Sequence, residues 1–172
     1  MRSGQIHVEA NDAAVRLQVA AAVVRRHAGG LRYHPQTGVA TSPSAELRQA
    51  LHHLRESLTP LPALVEAFTR EDAAGDSPAV APREVVEGPP RLQVLAEALR
   101  SALEALEGVL AHPERAPLDA PYGLGSPQRP HPGALATWVA DRAEALAREL
   151  ATQAVLRANL TVPTAEARRT TR

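Results

Sequence analysis

The chain has 172 residues, of which 44% are apolar, and this is enough for one domain with a hydrophobic core. Its 19 basic and 19 acidic residues give a formal net charge of zero, which argues against a broad electrostatic surface for nucleic acid or an anionic membrane. Because cysteine is absent, disulfide frameworks and thiolate metal sites are excluded.

Composition also bears on the core and on the location of the protein. The aromatic content is 2%, so the core must be aliphatic. All basic residues are arginine, which together with the high alanine and proline content indicates a GC-rich bacterial genome. No apolar run approaches membrane-spanning length, and the N-terminus lacks the apolar segment of a signal peptide. We therefore expect a cytoplasmic protein.

The first predicted element is a short strand. Gln5–Glu9 alternates Ile6 and Val8 with polar residues, as a half-buried strand does. Asn11 and Asp12 follow and are typical N-cap residues, so they predict the start of the next element.

Signals for helix and strand compete over 13–28. Val15, Leu17 and Val19 alternate like a strand. Another set of apolar residues recurs at helical spacing: Leu17, Ala21, Val24 and Ala28. The preceding cap, the alanine content and the terminating Gly29 favour a helix.

Residues 31–41 (LRYHPQTGVAT) predict a small β-hairpin. Pro35 suits the second position of a type I turn, and Gly38 suits the left-handed residue that closes the loop. Tyr33 and Val39 would then lie across the strand pair. Together with the strand predicted before it, the hairpin would make a three-stranded sheet, since two strands alone are marginal.

The region over 43–70 carries a long apolar series with prolines inside it. Ser42 and Pro43 predict its N-terminal boundary. The series comprises Leu47, Leu51, Leu54, Leu58, Leu61, Val65 and Phe68. Because Pro60 and Pro62 lack backbone donors and clash with the preceding turn, we expect either one sharply kinked helix or two helices, over 43–58 and 60–70.

The clearest helix is Arg91–Ala111 (RLQVLAEALRSALEALEGVLA). Its broad apolar face comprises Leu92, Leu95, Ala96, Leu99, Ala102, Leu103, Leu106, Val109 and Leu110. Such a face suits a globular bundle better than a two-stranded coiled coil. Pro89 and Pro90 suit the N-terminal side of this helix, and Pro113 blocks its continuation. Because a lone helix of this length is marginal in water, other helices must cover the face.

Proline-rich segments over 71–90 and 112–133 predict two linkers. A last helix is predicted over 134–158, and 161–172 should form a flexible tail. The apolar stripe of this last helix comprises Leu135, Val139, Ala143, Leu146, Leu150 and Ala154.

These elements predict an all-α fold, an antiparallel bundle of four to five helices with a small N-terminal β element. The N-terminal helical half covers 1–70, and a C-terminal helical hairpin covers 91–160. We expect both halves to belong to one domain.

His52 and Glu56, with His53 beside them, are the candidate metal ligands, because residues four apart on a helix share a face. Carboxylate bundles that hold two metals need a second Glu-x-x-His pattern, which the sequence lacks, and the zinc-protease pattern is absent as well. A solvated His–Glu pair is therefore the favoured interpretation. We assign no metal, cofactor or catalytic residue.

The remaining candidates are a glycine-rich turn, two basic clusters and the sole tryptophan. Tyr122–Ser126 (YGLGS) lacks the third glycine and the lysine of phosphate-binding loops. The basic clusters can contact phosphates and consist of Arg25, Arg26, His27 and Arg32, and of Arg168, Arg169 and Arg172. Trp138 is either a core-edge residue or an anchor for a partner.

The wide Leu/Ala faces without polar constellations favour a protein–protein interaction or structural module, in which self-association is one option. The first alternative is a nucleic-acid-associated accessory protein that uses its arginine clusters. The second is an enzyme or metal protein whose site assembles in space from distant residues.

Overall fold

The computed structural model describes residues 3–34, 39–74, 83–111 and 131–161. Within these ranges the helices are α1 (Ser3–Ala28), α2 (Ala45–Leu58), α3 (Leu61–Ala74), α4 (Arg83–Ala111) and α5 (Pro132–Thr161). The same ranges contain no strand, so the predicted all-α class is confirmed. No helix in this part of the chain is long and apolar enough to cross a membrane.

Helix α1 includes Gln5–Glu9, so the predicted N-terminal strand is wrong. Ile6 is the first residue of a buried series at helical spacing that continues through Ala10, Ala13, Leu17 and Val24. Asn11 and Asp12 do not cap a helix; they are exposed in the middle of one. A short apolar alternation fits both periods, and burial of this series against other helices decides in favour of the helix. The helix predicted over 13–28 is confirmed as the C-terminal part of α1.

Between α1 and α2 lies an isolated antiparallel bridge, which joins Tyr33 and Ala40. Two backbone hydrogen bonds of 2.8 Å support it. Tyr33 therefore pairs with Ala40, which is one residue after the predicted partner Val39. The three-stranded sheet is wrong because its first strand is helical. Pro35 and Gly38 of the predicted hairpin turn lie outside the described residues.

The apolar series over 43–70 forms two helices, so the two-helix alternative is confirmed. The N-cap of α2 is Ser44 and not Ser42, because the backbone N–H of Leu47 donates to Ser44 Oγ at 3.1 Å. Both prolines fall at the junction, where a helix start tolerates their missing donors. Helix α3 then continues to Ala74, beyond the predicted end.

Helix α4 begins at Arg83, well before the predicted Arg91, and contains Pro89 and Pro90. The residues that line its buried face include Leu92, Leu99, Ala102, Leu106 and Val109. Within this early part of the helix Gly88 and Pro89 are buried, and Gly88 lies against Gln153 of α5. Such packing offsets the backbone hydrogen bonds that the two prolines cannot make.

The observed helix bounds also change the predicted bounds of the linkers. The segment over 71–90 is helical at both ends, because α3 extends into it and α4 begins within it. Helix α5 contains the whole predicted helix over 134–158, and its predicted stripe is buried. Most of 112–133 and nearly all of 161–172 lie outside the described residues, so the loop and the tail remain predictions.

Contacts between helix ends show how the elements are arranged. Helix α1 packs mainly against α5 and α2, and α4 packs mainly against α5 and α3. Arg25, near the end of α1, contacts Asp141 in the first part of α5. His7, near the start of α1, contacts Glu71 near the end of α3. The beginnings of α1 and α4 therefore lie at the same end of the molecule as the ends of α3 and α5.

Candidate functional site

Buried and half-buried polar side chains meet at this end of the molecule. We call them the polar end cluster, which comprises His7, Glu71, Asp72, Glu149, Gln153 and Arg157. Gln153 is 1% exposed and Arg157 is 3% exposed, so both are removed from water. Buried charges are rare in proteins and need a partner, which makes this cluster the first candidate site.

Arg157 is the centre of the cluster. Its Nη2 donates to the two carboxylate oxygens of Asp72 at 2.8 and 3.0 Å, and its Nη1 donates to Oε1 of Gln153. Its Cζ lies 4.5 Å from the ring centroid of Phe68, a cation–π distance. Because a guanidinium stays charged in proteins, these contacts are what makes its burial tolerable.

The contacts continue from the interior to the surface. Gln153 Nε2 donates to Glu149 Oε1 at 2.8 Å, and Glu149 Oε2 lies 3.6 Å from Nη1 of the exposed Arg91 on α4. On the other side, His7 Nε2 lies 3.3 Å from Glu71 Oε2. The second oxygen of Glu71 is buried and accepts no hydrogen bond from any described residue. The cluster therefore connects α1, α3, α4 and α5.

The pKa of Asp72 reflects opposing influences. Burial, the largest of them, raises it above its ordinary value, the charge and hydrogen bonds of Arg157 lower it, and the charge of Glu71 raises it. Because the net shift is upward, the folded environment favours the protonated carboxyl group. Replacing a buried ion pair by apolar residues is often neutral or stabilising, so this pair is weak evidence of a large contribution to stability.

The chemistry of the cluster is limited. No group of three or more His, Asp or Glu side chains that could hold a metal ion exists in residues 3–34, 39–74, 83–111 and 131–161. The cluster contains no hydroxyl or thiol nucleophile, and most of its donors and acceptors bind one another.

Sequence reasoning missed this cluster, although a signal was present. The apolar series that ends at Phe68 continues, four residues on, at Asp72. The stripe that ends at Ala154 continues, three residues on, at Arg157. Polar residues at the next positions of two apolar series predict a buried polar contact, and following both series past their last apolar residue would have found it.

Glycine substitutions in α4 test the packing around the cluster. A Cβ at Gly88 would overlap the end of the Gln153 side chain, whereas Gly108 in the same helix has open space around it. We expect Gly88→Ala to lower the free energy of unfolding by about 1–3 kcal/mol, because Gln153 must move and lose its contacts. Gly108→Ala should raise it by about 0.5–1 kcal/mol through helix propensity. Urea unfolding measures both, and an equal gain for both variants would contradict the packing.

The candidate metal ligands come together on the surface of α2. His52 Nε2 lies 3.2 Å from Glu56 Oε1, and His53 Nδ1 lies 3.4 Å from Glu56 Oε2. All three side chains are more than half exposed. Their geometry is that of a solvated ion-pair group, in which one carboxylate serves two imidazoles.

Three members of the first basic cluster contact acidic residues of other helices. Arg25 and Arg26 form ion pairs, and His27 Nε2 lies 2.9 Å from a carboxylate oxygen. Their partners are Asp141 and Glu144 of α5 for Arg25, and Glu46 of α2 for Arg26 and His27. Arg32, the fourth member of this cluster, is exposed, and the guanidinium of Arg26 is more than half exposed beside Glu46. The second cluster, Arg168, Arg169 and Arg172, lies outside the described residues.

The other candidates from the sequence are placed as follows. Trp138 is half-buried and packs against the core, and Cζ of Arg142 lies 5.5 Å from its ring centroid. This position is at the edge of the core. Tyr122–Ser126 lies outside the described residues.

A shallow groove of about 290 Å³ lies between the end of α2 and the middle of α4. Its lining residues are Arg55, Leu58, Thr59, Arg100, Leu103 and Glu104. Arg55 is paired with Glu107, and Arg100 is paired with Glu97. Both guanidinium groups that line the groove therefore have a carboxylate partner.

The outer face of α1 differs from all of these features because it is apolar. Val8, Val15 and Val19 are 60%, 51% and 62% exposed, and Ala22 is exposed beside them. We call these four residues the outer valine stripe. Their spacing of seven, four and three residues places them on one line, opposite the buried side of α1. Valine is a poorer helix former than alanine, so helix formation does not account for valines at exposed positions.

Comparison of the chain with models of protein families, with curated protein sequences and with solved structures found no match.

Proposed function

We propose that the protein is a protein–protein interaction module and that the outer valine stripe of α1 is its contact surface. The observation that carries the proposal is the exposure of Val8, Val15 and Val19 along a single line of a long helix. Single exposed apolar residues are ordinary, but an aligned set on one face is typical of helix-mediated contacts. When a partner removes apolar surface from water, the complex is stabilised by about 25 cal/mol per Å² of apolar area.

The proposal differs from the sequence argument in the surface that it uses. The Leu/Ala face of α4 motivated the interaction hypothesis, but its central residues, such as Leu99 and Leu106, are fully buried by the same chain. A partner cannot reach them in the folded protein. The stripe on α1 is apolar and remains accessible.

We further propose that the helices form an antiparallel bundle that holds this surface in place. In this bundle α2 and α3 follow one another along the length of α1. The His27–Glu46 contact supports it, because it joins the end of α1 to the start of α2. The His7–Glu71 contact also supports it, because it joins the start of α1 to the end of α3. A bundle would hold the stripe rigidly, which reduces the entropy lost on binding. From the amino-acid composition, we propose that the protein is located in the bacterial cytoplasm.

Charged substitutions in the stripe test the interaction. We expect Val15→Asp/Val19→Asp to abolish recovery of the binding partner in affinity capture, because each carboxylate would be desolvated at the contact. Val94→Asp/Val155→Asp is the matched control, since these valines are 69% and 59% exposed on α4 and α5. The control variant should bind like the wild type. Equal recovery by both variants would refute the role of the stripe, provided that circular dichroism shows both to be folded.

A further inference from the structure

We infer that the partner of the outer valine stripe is a second copy of this chain, whose α1 packs against the first α1 in the antiparallel direction. The inference rests on the proposed function, since it names the occupant of the same surface. It predicts a homodimer with two-fold symmetry, in which each copy contributes the same stripe.

The order of charges along the outer face of α1 carries the argument. Asp12 lies towards the N-terminal end of this face, the apolar residues Val15 and Val19 lie in the middle, and Arg26 lies towards the C-terminal end. Glu9 and Arg16 lie on the flank of the helix beside this face. The face therefore runs from acidic through apolar to basic. A surface with this order is complementary to itself when one copy is reversed, which is the condition for a two-fold antiparallel contact.

The register follows from the valines. If the two-fold axis passes between Val15 and Val19, then Val15 of each copy meets Val19 of the other. Arg26 of the second copy then lies over Val8, about one helical turn from Asp12. Its aliphatic stem can cover the valine while its guanidinium reaches the carboxylate of Asp12.

The ionic groups at the two ends of the stripe are available for this contact. Asp12 is exposed and forms no ion pair with any residue in the described part of the chain. Glu9 accepts a hydrogen bond from Gln5. Arg26 is paired with Glu46, but both side chains are more than half exposed, so the guanidinium can take a second carboxylate partner. The chain's zero net charge adds no overall repulsion between copies.

The parallel arrangement is disfavoured by the same charges. It would place Asp12 beside Asp12 of the second copy, and Arg26 beside Arg26 of the second copy. Like charges opposite one another destabilise helix pairs, and they select the orientation in which opposite charges meet.

The contact is narrow, which determines how strong the dimer should be. Four small apolar side chains cover less surface than the roughly 800 Å² per partner of a stable standard interface. We therefore expect a reversible dimer that dissociates on dilution.

Sedimentation equilibrium of the full chain over a concentration series is the first test. We expect a monomer–dimer equilibrium for the wild type and for Val94→Asp/Val155→Asp, and a monomer for Val15→Asp/Val19→Asp. Arg26→Glu alone, and Asp12→Arg alone, should each weaken dimerisation at least tenfold. An equimolar mixture of these two variants should dimerise again, because in the mixed dimer the introduced glutamate faces the introduced arginine, and the unchanged Arg26 faces the unchanged Asp12.

The relative direction of the two α1 helices in the dimer is tested with one spin label on each copy. Because the chain has no cysteine, Gln5→Cys supplies one labelling site. In the antiparallel dimer the two labels are separated along the helix by about 36 Å, at 1.5 Å per residue, whereas in a parallel pair they lie about 10 Å apart. A short distance, or a charge-swapped mixture that does not recover, overturns the inference.

The outcomes separate the inference from the proposed function. A wild type that stays monomeric at every concentration overturns the second-copy inference. If that monomer still captures a partner and loses it with Val15→Asp/Val19→Asp, the stripe remains the contact surface. If no partner is captured either, both the inference and the proposed function fail.

Discussion

Replacing Leu99 with aspartate is expected to prevent the chain from folding. Leu99 is fully buried in the middle of α4. The change removes about 1.5–3 kcal/mol of hydrophobic stabilisation and adds an unpaired charge that costs several kcal/mol more. Since the whole domain is expected to be stable by only about 5–15 kcal/mol, the sum approaches the total. Far-ultraviolet circular dichroism of Leu99→Asp should show loss of most helical signal.

Glu104→Ala is the control for this prediction. Glu104 lies on the same helix, on its exposed side. Its removal should change the free energy of unfolding by less than about 0.5 kcal/mol. Similar melting curves for the two variants would mean that the buried and exposed faces of α4 are wrongly assigned.

Replacing Arg157 with methionine is expected to have the second-largest effect, a loss of about 3 kcal/mol in the free energy of unfolding at neutral pH. Methionine keeps much of the side-chain volume but leaves Asp72 without its counter-charge. It also removes the donor to Gln153 and the cation over Phe68. Chemical unfolding at neutral pH measures the loss.

The same variant should regain stability in acid. Burial already raises the pKa of Asp72, and loss of Arg157 removes the influence that lowers it. A carboxyl group with a higher pKa in the folded chain than in the unfolded chain binds its proton more tightly when folded. The free energy of unfolding therefore rises as pH falls from the folded pKa towards the unfolded one. The deficit of Arg157→Met relative to the wild type should shrink over this interval.

A double variant separates the ion pair from the packing around it. Arg157→Met/Asp72→Leu removes both charges, so no buried carboxylate is left uncompensated. We expect its stability at neutral pH to equal or exceed that of the wild type, because apolar replacements of buried ion pairs are often neutral or stabilising by about 1–4 kcal/mol. A double variant as unstable as Arg157→Met alone would show that the cluster stabilises the fold by more than charge pairing.

The buried and exposed apolar surfaces of this protein have separate roles. The face of α4 supplies the core, and substitutions such as Leu99→Asp should act on folding. The outer valine stripe is not needed for the core, so Val15→Asp/Val19→Asp should act on association. This separation allows the proposed function to be tested in variants that remain folded.

Helix periodicity and propensity determined much of the fold from the sequence alone. The helices over 91–111 and 134–158 have long apolar stripes made from strong helix formers, and local signals of both kinds agree there. The break between α2 and α3 was also determined locally, because proline cannot donate a backbone hydrogen bond. These features depend only on residues that are near one another in the chain.

Contacts between distant residues decided the rest. Val15, Leu17 and Val19 fit a strand as well as a helix, and only packing against α5 and α2 decided that Leu17 lies inside and both valines outside. Pro89 and Pro90 would end a helix by local rules, but burial of Gly88 against Gln153 extends α4 through them. The polar end cluster likewise exists because three helix ends and the first part of α4 meet. A local sequence pattern indicates which side of a helix is apolar. The free energy of burial depends on which other helices pack against that side.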